Sequence, residues 1–293
     1  SSRHKMIAVS QVAIFTLMLV VVGAIIAVVW VKIFMVEEED DDVVNESGLY
    51  IPALLNAVQI QVMNAIYSFV AVRLNNRENH RTDTEYENSL IAKLFVFQFV
   101  NSFAALYYTA FIKESVEGEC TNGGCMDELA VSVGTIFITR VISDNVSKYA
   151  LPRLSGWWKP RQETKGAASD RELSRPEKEY LMETYDEMMG SLQDFANLSI
   201  QFGYVALFAT AFPLAPILAF LSNCVNMATD GHKLLFLHRR PIPRSAANIG
   251  TWYYIFLVIT ILAVVTIVGL IAFTAEDFDM LSGGDVVWVF FGC

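Results

Sequence analysis

Asp194, Asn197, Asn226 and Asp230 stand in a stretch, 194–252, that is otherwise apolar enough to sit in a bilayer. An Asp at the centre of a membrane helix costs about 2.5 to 3.5 kcal/mol, so each needs a partner, water or a bound ion. Asn226 and Asp230 are four residues apart and share a helical face. Upstream, Arg140, Asp144 and Lys148 are spaced four and four, again one face. That ladder either pairs with itself or faces the oxygens of the two later segments. In the second case three helices supply the oxygen ligands that a hard cation such as calcium requires.

A second set of polar residues forms seams. Gln61, Asn64 and Ser68 recur at spacings of three and four, as do Gln98, Asn101 and Tyr108 with Ala105 between them. Ser132, Thr135, Thr139 and Ser143 make a third row. Amides gain nothing by facing hydrocarbon, so consecutive seams predict a hydrophilic furrow. The alternative is interhelical hydrogen bonding that only holds a bundle together.

Other chemistries find little support. His4, His80, His232 and His238 show no repeated metal spacing, and there is no Gly-rich phosphate loop or nucleophile elbow. The expectation is therefore not an enzyme, and no nucleic-acid partner. Cys120 and Cys125, in CTNGGC, are disulfide candidates if their loop faces an oxidising compartment; free thiols or a metal pair are the alternatives. Cys224 reads as a small core residue. The basic run His238–Pro241 sets topology or touches anionic headgroups.

The elements that must position these residues follow from composition. With 54% hydrophobic and 18% charged residues and a mean hydropathy of +0.41, the 293 residues read as an all-α polytopic bundle of about seven hydrophobic segments. The first runs from about 6 to 35, too long for a signal-peptide core. Segments at 49–72, 89–112 and about 128–150 follow. Pro213 and Pro216 break the next stretch into a short hairpin joined at 212–216. Residues 153–193 read as a polar linker, with seven Lys or Arg between Arg153 and Lys178. The net charge of −10 gathers in acidic patches at 37–42, beside a glycosylation sequon at Asn45, and at 114–128. The positive-inside rule then puts 1–5, 73–88, 153–193 and 231–247 in the cytosol and the acidic loops outside. The opening SSRHK has no methionine, so an upstream portion is expected.

Four blocks carry a resemblance: SLIAKLFVFQFVNSFAALYYTAFIK, the loop GGC, QFGYVALFATAFPLAPILAFLSN and HRRPIPRSAANIGTW. Together they resemble the anoctamin family of calcium-activated lipid scramblases and chloride channels, most densely over 89–273. The resemblance implies that 1–293 is part of one membrane domain, supplying the family's third to ninth membrane helices with 153–193 as a linker. It implies a homodimer, in the plasma membrane or endoplasmic reticulum, in which each subunit has a membrane-facing groove opened by calcium held between three helices. Phospholipid headgroups would pass along that groove, lined here by Gln61, Asn64, Gln98, Asn101, Tyr108, Thr135 and Thr139. Passage of chloride or other ions is the near alternative, and a membrane tether that transports nothing is a third.

The calcium ligands that the resemblance implies fall at Asp144, Asp194, Asn197, Asn226 and Asp230. At Lys148 the family has a glutamate. Where the family offers five carboxylates to two ions, this chain has three and an added lysine, which predicts a weakened calcium site with Lys148 as a tethered cation.

Overall fold

The structure is a computed structural model that describes residues 9–23, 42–113, 116, 125–146, 184–239, 241 and 248–274. Among the described residues the long elements are seven helices: α1 Val9–Gly23, α2 Asp42–Arg77, α3 Asp83–Tyr107, α4 Cys125–Asn145, α5 Glu187–Leu207, α6 Ala215–His232 and α7 Thr251–Thr274. The all-helical membrane bundle read from composition is the observed architecture. Segments Ala53–Arg77, Asp83–Phe111 and Thr251–Ala272 are long and apolar enough to cross a membrane.

Helix ends lie beyond the apolar limits. α2 runs on to Arg77 and α3 starts at Asp83, so the expected connection at 73–88 shrinks to a tight turn. Hydropathy marks where a chain leaves the bilayer, whereas capping marks where a helix stops. Asn79 takes a left-handed φ of 51° in this turn, a conformation asparagine tolerates better than most residues. Thr82 then caps α3, its hydroxyl accepting from the Glu85 amide at 3.2 Å, while the Glu85 carboxylate accepts from the Arg81 amide at 3.2 Å.

A buried polar cluster ties this turn to the bundle. Lys93 Nζ donates to Glu78 Oε1 at 2.5 Å and to Asn75 Oδ1 at 2.8 Å, and His80 Nε2 lies 3.1 Å from Asn75 Oδ1. Burial opposes ionisation of Glu78, but the hydrogen bond and charge of Lys93, together with Ser10 and His80, outweigh it and hold the carboxyl below its ordinary range. A depressed folded-state pKa contributes stability that is present above the unfolded pKa and is lost as pH falls through the folded one. The difference in Tm between wild type and Glu78→Gln in detergent is therefore expected at neutral pH and closes on acidification below the usual carboxylate range. A difference that stays constant into that acid range would show that Glu78 acts by packing alone.

The centre of the bundle is aromatic. The Phe103 ring on α3 packs 4.9 Å from Tyr204 and 6.2 Å from Phe208, and Tyr204 meets Phe137 of α4 at 6.3 Å. All four side chains are fully buried. The close approach needs Gly203, where an added Cβ would stand 2.5 Å from Phe103 Cζ. α7 packs against α5 through Trp252 stacked on Phe195 at 5.7 Å, and against α3 through a 2.7 Å hydrogen bond between Tyr107 and Thr266.

The hairpin breaks earlier than its prolines suggest. α5 ends at Leu207 and the chain turns through 208–214 before α6 begins at Ala215. Pro213 restricts its predecessor to extended backbone, so the preceding turn unwinds as well. Pro216 sits inside the first turn of α6, where a missing amide hydrogen costs nothing.

Candidate functional site

Between α4, α5 and α6 lies a cavity of about 190 Å³. Five residues expected from the sequence line it: Asp144 from α4, Asp194 and Asn197 from α5, and Asn226 and Asp230 from α6. Helical spacing does the positioning. Asp194 and Asn197 are one turn apart on α5, and Asn226 and Asp230 one turn apart on α6. The hairpin turns α6 back along α5, which brings the two pairs to one space. Gln201 donates at 3.4 Å to the Ala219 carbonyl and helps hold the two arms together.

Arg140 lines the same cavity and is 6% exposed. Its Nη2 donates to Asn197 Oδ1 at 3.1 Å, and its Nε stands 3.9 Å from Asp144 Oδ2, one helical turn away. Arg140 Nε and Nη1 have no hydrogen-bond partner, nor does Asn226 Oδ1. The cavity is therefore divided. On its α4 side a guanidinium offsets Asp144 and occupies the amide oxygen of Asn197. On the α6 side Asn226 and Asp230, with Asp194 from α5, present oxygens.

Calcium asks for six to eight oxygen ligands at 2.3–2.6 Å. The donor chemistry here is right, since carboxylates and amides are hard ligands and Asn226 Oδ1 is a buried acceptor without a donor. The arrangement is incomplete. Among the described residues no three His, Cys, Asp or Glu side chains converge closely enough to hold a metal. Lys148 and Cys120 lie outside the described residues; Cys125 begins α4, but its side chain does too.

The seam residues separate into two groups. Asn101, fully buried, donates from Nδ2 to Asn64 Oδ1 at 2.9 Å and to the Ile60 carbonyl at 3.0 Å, and accepts from Gln59 Nε2 at 3.2 Å. These bonds clamp α3 to α2. Gln98 is buried on the same side, with Oε1 lacking a partner. Gln61, Tyr108, Thr135 and Thr139 are half-buried on α2, at the end of α3 and on α4. Gln59 escapes the sequence reading because it belongs to the face shared with Asn56 and Ile60, not the one counted from Gln61. The signal that could find it is the three-residue step from Asn56, itself buried with Oδ1 unpartnered.

Comparison with known proteins gives one family. Residues 1–293 match the family model described as "Anoctamin: Calcium-activated chloride channel". The chain is 30% identical over 294 residues to Anoctamin-4 of Bos taurus, with 92% of the chain and 32% of that protein covered. It is 33% identical over 238 residues to Anoctamin-7 of Mus musculus, covering 76% of the chain and 27% of that protein, and 30% identical over 300 residues to mouse Anoctamin-3, covering 94% and 30%. The chain thus spans about a third or less of the length of these relatives. With the match running over its whole length and the helices and polar cavity arranged as described, this chain belongs to the anoctamin family.

Proposed function

We propose that the chain forms part of a homodimeric membrane transport protein that moves phospholipid headgroups along a polar path at its surface, under weak control by calcium. The observation that carries this reading is the convergence of Asp144, Asp194, Asn197, Asn226 and Asp230 on one cavity between three helices of an anoctamin-family bundle. Cation control is supported by the oxygen-rich side of that cavity, and weakness by its incompleteness. Ion conduction is the second reading, favoured by the description of the matching family as a chloride channel. No enzymatic step is proposed.

The test is a fluorescent-lipid exposure assay in liposomes, run beside an ion-flux assay on the same preparation. Loss of lipid signal at both leaflets is expected with the wild type; ion flux without lipid exposure would favour the channel, and neither would favour a tether. Replacing Asn64 and Asn101 together by Leu is expected to slow passage several-fold. A modest loss of stability accompanies it, since interhelical hydrogen bonds in membranes average about 0.6 kcal/mol. Unchanged passage with a lowered Tm would assign these two residues to helix packing alone.

A further inference from the structure

We infer that the facing sides of α2 and α3 hold a bound-water site, in which ordered water bridges the side chains of Asn56 and Gln59 on one helix to those of Gln98 and Ser102 on the other. The inference concerns the inside of the bundle and does not depend on which substrate the protein moves.

Four buried oxygens carry it. Asn56 Oδ1, Gln59 Oε1, Gln98 Oε1 and Ser102 Oγ make no hydrogen bond among the described residues, and Asn56, Gln98 and Ser102 are all more than nine-tenths buried. Helical spacing groups them. Asn56 and Gln59 are one turn apart on α2, Gln98 and Ser102 one turn apart on α3, and the bond from Gln59 Nε2 to Asn101 Oδ1 at 3.2 Å joins the two sets. Turning an amide over does not satisfy them. Asn101 Nδ2 meets two acceptors, the Ile60 carbonyl at 3.0 Å and Asn64 Oδ1 at 2.9 Å, so Asn101 Oδ1 is itself an acceptor and the atom that Gln59 offers it is a nitrogen. Gln59 Oε1 is thereby fixed as a buried acceptor without a donor. Buried polar groups in that condition are met by water, which needs about two to four polar partners. Water donates to the amide oxygens, and the Ser102 hydroxyl can donate to water in turn. Toward the Arg77 end the seam is closed by Tyr67, stacked on Phe97 at 3.7 Å and donating to the Lys93 carbonyl at 3.1 Å. A metal ion fits less well, because all four oxygens are neutral and offer a desolvated cation no opposite charge. A lipid headgroup is too large for a seam in which Asn101 and Ser102 are fully enclosed.

Radiolytic footprinting in detergent tests this, since hydroxyl radicals made by X-rays from a bound water oxidise the side chains beside it even where bulk solvent does not reach. Phe97 is the reporter, fully buried and one turn before Asn101 on α3. Phe137 of α4 and Phe208 beyond α5 are buried to the same degree in the aromatic centre and serve as the dry reference. In the wild type Phe97 is expected to be oxidised several-fold faster than either. In the double variant Q59L/Q98L, which removes two of the acceptors, its rate is expected to fall to theirs. Equal rates for the three rings in the wild type, or a fast rate at Phe97 that persists in Q59L/Q98L, would overturn the inference. The wild-type ratio is expected to be the same in sodium and in N-methylglucamine buffer; a ratio that collapses when sodium is withdrawn would assign the site to an ion and overturn the reading as water. Should the double variant fail to fold, Q98M decides. An apolar side chain of similar length loses the bridging water's hydrogen bond, so its Tm is expected to stay at or fall below that of the wild type. A raised Tm would show that Gln98 Oε1 is a dry acceptor better removed, and the inference would fail.

Discussion

Glu128→Gln is expected to destabilise the protein by about 3–5 kcal/mol, the cost of breaking a buried ion pair from one side. Glu128 and Lys113 form an ion pair in which both side chains are buried, 6% and 5% exposed, joining the end of the π-helical turn Tyr108–Ile112 that continues α3 to the first turn of α4. Removing one member strands the other charge away from water, which is where the large penalty comes from. Replacing both, as Lys113→Met with Glu128→Met, removes both desolvation costs and is expected to recover most of the loss. Glu128 also lies in the first turn of α4, where a negative charge complements the helix dipole, so recovery stops short of full. Chemical or thermal unfolding of the single and double variants in detergent measures this directly. A double variant no more stable than the single ones would show that the pair's other contacts, not its buried charge, hold the junction.

This junction also shows what a sequence conceals. The acidic run at 114–128 reads as a solvated loop outside the membrane, and charge bias alone gives no reason to separate Glu128 from its neighbours. Its burial comes with that of Lys113, fifteen residues earlier in sequence; only the tertiary structure brings the two together. The cavity is legible for the opposite reason. Asp and Asn at four-residue spacing in apolar helices are costly enough to demand an explanation from the sequence alone, and helical periodicity then fixes which of them share a face. The ladder of Arg140 and Asp144 can be drawn toward Asp194 and Asn197 on that basis. What periodicity does not supply is the partner choice: Arg140 bonds the amide of Asn197, and Asn101 reaches Gln59 as well as Asn64. The limits of the hairpin differ from the expected 212–216 for a local reason, since a proline acts on the residue before it and the unwinding spreads back to Phe208.

Lys148→Glu is expected to shift the calcium dependence of transport to at least about tenfold lower concentration. Lys148 stands four residues beyond Asp144 in sequence, outside the described residues, where the resemblance places a glutamate. The substitution changes the local charge by two units. A unit charge 4 Å away is worth about 4 kcal/mol at an effective dielectric of about 20, and each 1.4 kcal/mol is tenfold in affinity, so even a lysine two or three times farther off leaves an effect of that order. The competing arrangement has the long lysine stem carry its ammonium out to the headgroups, where the change would be screened. Superimposable calcium titrations of wild type and Lys148→Glu would establish that arrangement. The variant also separates two sources of positive charge. If Arg140 alone sets the cation balance of the cavity, R140Q shifts the titration and Lys148→Glu does not. If both act, the double variant exceeds either, by roughly the sum of their free energies when the two charges sit far enough apart not to interact. Submicromolar activation of the wild type would contradict the expectation of a weakened site, which rests on three carboxylates standing where the resemblance implies five.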